Sequence, residues 1–127
     1  MVLVDTSVWI RSLAGERPYV DGLGALLDLD EAASHDLVYG ELLVGDRGGR
    51  PKLLSAYERL QRCVTVPHGE VVAFVRAHRL HGRGVGWVDI HLLASALAGR
   101  MLIWTADAAL VKLAHEFHVD YQPGRSV

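Results

Sequence analysis

The chain has 127 residues, half of them apolar and 22% charged, with a formal net charge of −2. That is enough for a single domain (1–127) burying about two-thirds of its unfolded surface. The composition is that of a globular protein, and no segment approaches the roughly 18 consecutive apolar residues of a membrane span. Met1-Val2-Leu3-Val4 has no basic leader and stops at Asp5, so a secretory signal is not expected. A lone cysteine, Cys63, cannot form an internal disulfide. This points to a reducing cytoplasm, with Cys63 as core packing.

In chain order, Val2-Leu3-Val4 reads as a buried strand, and Thr6 or Ser7 as the cap of a helix from about Val8 to Leu13. Gly15 and Pro18 interrupt the chain before a helix from about Val20 to Leu29 with Leu23, Leu26 and Leu27 on its apolar side. A short strand is expected over Ala32–His35, then a helix capped by Asp36 and ending near Gly45. Gly48-Gly49 reads as a connector, and Pro51 suits the first turn of a helix reaching about Arg62. Cys63–Val66 reads as a strand closed by Pro67, and Gly69–Leu80 as a helix. After the glycines at 82, 84 and 86, a helix is expected over Val88–Ala98, with Gly99 ending it. Met101–Trp104 reads as a strand, Thr105 or Asp107 as the opening of a helix to about Phe117, and Val119–Tyr121 as a last strand. Strands alternating with helices specify an α/β fold: a Rossmann-like parallel sheet with helices on both faces and right-handed crossovers. Ligands of such sheets bind beyond the carboxyl ends of the strands.

Acids stand at those places. Asp5 follows the first strand, Asp107 lies three residues past Trp104, Asp89 opens a helix after a glycine-rich loop, and Glu41 sits in the apolar stretch Val38–Val44. Singly, each has a structural explanation. Asp89 and Asp107 suit the positive end of a helix, Asp5 a turn, and Glu41 a helix edge. Gathered, they would repel: two carboxylates about 5 Å apart at an effective dielectric of 20 do so by roughly 3 kcal/mol. Such a cluster needs partial protonation or a cation. With only Lys52 and Lys112 as lysines, a hard divalent ion, Mg²⁺ or Mn²⁺, is the economical counter-charge. Asp5, Asp89 and Asp107 are the candidate metal ligands. Glu41 either completes the shell or serves as general base. Thr6, Ser7 and Thr105 either hold these acids in orientation or cap helices. Arg47, Arg50, Arg79 and Arg83 are candidate phosphate contacts or solvated faces. Trp9 and Trp87 flank acids and serve either as base-stacking surfaces or as core.

Val4-Asp5-Thr6-Ser7, Glu41, Trp87-Val88-Asp89-Ile90 and Trp104-Thr105-Ala106-Asp107, in this order and spacing, resemble the four acidic motifs of the PIN-domain family. The resemblance spans nearly the whole chain, and small stand-alone members of this layout are mostly VapC-type toxins. It implies a metal-dependent endoribonuclease acting on single-stranded or structured RNA, dependent on Mg²⁺ or Mn²⁺. It also implies homodimerisation and inhibition by a cognate VapB-type antitoxin. His91 departs from the pattern, standing where an aliphatic residue or alanine is commoner. It is either a substrate contact or a half-buried helix histidine. The alternatives are a PIN-fold binding module without catalysis and a receiver-type phosphoryl-transfer domain. The second needs an acid paired with Asp5 and a lysine after a late strand, and neither is present. No Gly-x-Ser-x-Gly elbow and no zinc-binding His or Cys spacing occurs.

Overall fold

The computed structural model describes residues 1–48 and 50–124, so Gly49 of the expected connector lies outside the described residues. Four parallel strands form one sheet in the order β3-β2-β1-β4: β1 (Val2–Val4), β2 (Ala32–Ser34), β3 (Gln61–Arg62) and β4 (Leu102–Trp104). All three residues of β1 are buried. Side chains of a strand alternate between faces, so unbroken burial means that helices cover both sides. β1 pairs with β2 on one edge and with β4 on the other, and Val4 lies opposite Trp104. The chain leaves β1 and β4 at the same level, with Asp5 N donating to Trp104 O at 2.9 Å. The order of connections reverses between these two strands, which opens a crevice beyond their carboxyl ends.

Among the described residues, seven helices connect and cover the strands: α1 (Thr6–Leu13), α2 (Tyr19–Asp28), α3 (Asp36–Gly45), α4 (Pro51–Glu58), α5 (His68–His78), α6 (Trp87–Gly99) and α7 (Ala108–Glu116). Pro51 opens α4 as expected. No helix among the described residues is long and apolar enough to cross a membrane. Leu3, Val4, Val8, Val38, Leu92, Leu93, Ile103, Leu110 and Leu113 belong to one buried cluster.

Several boundaries differ from expectation. Neither Thr6 nor Ser7 caps α1. Asp5 holds the cap position, and all three side chains are engaged elsewhere. α3 is capped by His35 rather than Asp36: His35 Nδ1 accepts from Leu37 N at 3.0 Å. His35 Nε2 meets Ser95 Oγ at 2.9 Å, and burial lowers the imidazole pKa. The ring is therefore neutral, with its proton on Nε2. The third strand is Gln61–Arg62, not Cys63–Val66, because Ala33 and Ser34 of β2 pair with Gln61 and Arg62. At a sheet edge the backbone ladder, rather than apolar content, decides where the strand lies. α4 accordingly ends at Glu58 instead of Arg62. Val119–Tyr121 forms only an isolated bridge, Ile103 to Asp120.

Two glycines of α2 meet opposite surroundings. A Cβ at Gly22 would stand 2.7 Å from the ring of Trp104, whereas one at Gly24 would meet nothing within 4 Å. Trp104 is buried and stacked on Tyr19, so it has little room to yield. Gly24→Ala is expected to raise stability by about 0.5–1 kcal/mol through helix propensity. Gly22→Ala is expected to lower it by about 1–3 kcal/mol through overpacking. Thermal or urea denaturation of the two variants checks the opposite signs.

Candidate active site

The in-register ends of β1 and β4 bring the first and last acids together. Asp5 is buried, at 4% exposure. Its Oδ2 accepts from Ser7 Oγ at 2.6 Å and from Thr105 Oγ1 at 2.8 Å. Each hydroxyl is fixed from behind, Ser7 Oγ accepting from Ala106 N and Thr105 Oγ1 from Asp107 N, both at 3.0 Å. With their single protons committed to Asp5, both hydroxyls are oriented by the backbone that leads from β4 into α7. Asp107 caps α7, its Oδ1 accepting from Leu110 N at 2.9 Å. One oxygen of Asp107 thus serves the helix, which realises the structural explanation of that residue without using the other oxygen.

Glu41 lies on the second turn of α3 and is exposed. Thr6 Oγ1 donates to its Oε1 at 2.7 Å, tying α3 to the start of α1. Thr6, Ser7 and Thr105 therefore all hold acids, and none acts as a side-chain helix cap. Asp89 stands in the first turn of α6. Its pKa is pushed up to about 7, first by burial, then by the negative charges of Asp5, Asp107 and Glu41. The charges of Asp5, Asp107 and Glu41 thus reach Asp89 through space, although the four acids come from four separate segments.

The donor set suits a hard cation: four carboxylates, no sulfur, and hydroxyls that orient the acids. Among the described residues, no lysine, arginine or histidine pairs with any of the four. Nor do three acidic, histidine or cysteine side chains among them close into a ready-made cage. A Mg²⁺ that keeps part of its water shell needs only one or two direct carboxylates, so an open cluster fits it. A hollow of about 220 Å³ is lined by His35, Tyr39, Tyr57 and Arg62 among others, and one of about 320 Å³ by Leu42, Asp46, Arg47 and Arg50 among others. None of the four acids lines either hollow.

A PIN-domain sequence profile matches residues 2–116. The chain belongs to the PIN-domain family. It is 44% identical over 112 residues to "Ribonuclease VapC32" of Mycobacterium tuberculosis, from strains CDC 1551 / Oshkosh and ATCC 25618 / H37Rv, covering 87% of this chain and 87% of the relative. Residues 2–116, which the profile matches, contain all four acids of this PIN domain.

The other expected contacts separate. Arg47 and Arg50 share the second hollow, Arg79 takes the left-handed position ending α5, and Arg83 is paired with Glu116. Trp9 is buried beside Tyr57, which makes it core rather than a base-stacking surface. His91 is likewise buried. Sequence reasoning did not find the His35–Ser95 hydrogen bond or the bracing of Trp87 by His68 and His91. The i to i+4 spacing of Trp87 and His91 was the available signal for one of these contacts.

The raised pKa of Asp89 fixes a sign. Its folded value of about 7 lies above the ordinary 3.8, so ionisation opposes folding. Its contribution to stability is fully present below pH ~4 and is lost as the pH rises through ~7. In chelator, the melting temperature of Asp89→Asn relative to the unsubstituted protein should therefore be higher at pH 8 than at pH 5. An identical difference at both values would contradict the assignment.

Proposed function

We propose that the chain is a VapC-type endoribonuclease dependent on Mg²⁺ or Mn²⁺, the toxin of a toxin–antitoxin pair. The single observation that carries this is the influence of the Asp5, Asp107 and Glu41 charges on Asp89 beyond the carboxyl ends of β1 and β4. The likeness to the Mycobacterium tuberculosis ribonuclease supports the ribonuclease activity.

Asp5, Asp89 and Asp107 would hold the cation. When bound, it supplies Lewis-acid polarisation of the scissile phosphodiester and of the attacking water. Asp5 is preset for this role, because two hydroxyls hold its Oδ2 and so fix the direction of the whole carboxylate. Asp107 is preset by its own cap bond through Oδ1. Thr6 engages Oε1 of Glu41, and in this reading Oε2 takes the proton from the attacking water as general base. Burial and three acidic neighbours oppose ionisation of Asp89, and a bound cation would favour its ionised form.

Arg47, Arg50 and Arg79 are the proposed contacts to flanking RNA phosphates. Arg83 would join them only by giving up Glu116. Ile10 and Leu13 on α1 and Leu43 and Val44 on α3 are exposed apolar side chains. They suit coverage by a VapB-type antitoxin or by a second copy in a homodimer. The proposed setting is the cytoplasm.

The deciding experiment incubates the protein with a mixed single-stranded RNA pool, with and without millimolar Mg²⁺ or Mn²⁺. Metal-dependent internal cleavage is expected, and Asp5→Asn should lower its rate at least about 100-fold. Full cleavage by Asp5→Asn, or cleavage unaffected by chelator, would refute the reading. The same ions should raise the melting temperature at pH 8, since a ligand selective for the native state stabilises it. The rise should shrink in Asp5→Asn, as differential scanning fluorimetry would show.

A further inference from the structure

We propose that Trp87 is a stacking platform for a base of the RNA strand beside the scissile phosphate, an inference that rests on the nuclease reading above. The chain has three tryptophans. Trp9 and Trp104 are 4% and 3% exposed, whereas Trp87 is 44% exposed. An indole left so far in water forgoes much of the burial that normally places it inside. Its location supplies a reason. Trp87 is the first residue of α6, and Asp89 of the acidic cluster follows in the same turn.

The ring is exposed but not loose. His91, one turn further along α6 and itself buried, meets it with centroids 4.9 Å apart at 89°. His68, at the start of α5, meets it at 5.4 Å and 63°. Imidazoles from two helices thus brace the indole while almost half of it stays in solvent. His91 Nδ1 has no hydrogen-bond partner among the described residues. The position that departs from the family pattern therefore contributes a ring contact there rather than a hydrogen bond through that nitrogen. A ring fixed in advance loses little conformational freedom when a base settles on it. Single-stranded RNA offers unstacked bases of the chemistry an indole takes up, and stacking tolerates any base. A base is favoured over a protein side chain because Trp87 shares its helical turn with an acid of the cleavage centre.

The test uses the full chain and a fluorescently labelled single-stranded RNA oligonucleotide of mixed sequence. Binding is followed in an Asp5→Asn background to prevent cleavage. Because Trp87 is the exposed tryptophan, stacking should quench the intrinsic emission. Adding Trp87→Leu should abolish that quenching and weaken binding about tenfold. Trp87→Phe should recover most of the affinity. With Asp5 intact, Trp87→Leu should lose activity mainly through KM rather than kcat. Unchanged RNA affinity and KM in Trp87→Leu would overturn the platform. If the unsubstituted protein still cleaved RNA, the nuclease reading would survive that result. An unsubstituted protein that neither binds nor cleaves RNA would overturn both.

Discussion

Ser7 and Thr105 donate to the same oxygen of Asp5, and this arrangement exists because β1 and β4 run in register to their ends. A slip of one residue between the strands would move Asp5 away from Thr105 and reverse the sides of the sheet on which their side chains lie. The backbone bond from Asp5 to Trp104 secures the register, and the buried residues of β1 hold it there. Asp107 inherits its place from the same register, two residues after Thr105. The remaining acids are brought to this fixed pair by α3 and α6.

Hydroxyls rather than cations do the local holding. A lysine or arginine in the place of Ser7 or Thr105 would neutralise Asp5 and compete with any metal. A hydroxyl orients the carboxylate and leaves its charge intact. The charge therefore remains to act on Asp89, whose ionisation is opposed by burial and by three like charges. The fold bears this electrostatic cost at one edge while the sheet and its helices bury an apolar cluster elsewhere. Concentrating a cost at a working site is the usual relation between a stable scaffold and reactive chemistry.

Much of the architecture was legible locally. Val2-Leu3-Val4 is too short and too uniformly apolar for anything but a buried strand, and Pro51 marks the start of its helix. The order of Asp5, Glu41, Asp89 and Asp107 pointed to the family. Other elements were misread for identifiable reasons. Cys63–Val66 has the composition of a strand, yet β2 pairs with the two residues before it. Thr6 and Ser7 look like caps in isolation, because nothing nearby in the chain reveals that Glu41 and Thr105 will arrive beside them. His35 displaced Asp36 as a cap because its ring could accept from Leu37 N while pairing with distant Ser95.

Sequence alone determined which side chains could do chemistry, roughly where each lies along a strand or helix, and that a parallel sheet would carry them. Those properties follow from local propensity, periodicity and the chirality of crossovers. Only the tertiary structure decided that the four carboxylates share one electrostatic environment, which hydroxyl holds which acid, and that Trp87 stays in solvent while Trp9 does not. Each of these depends on contacts between residues far apart in the chain, set by strand register and helix packing that no short stretch of sequence encodes.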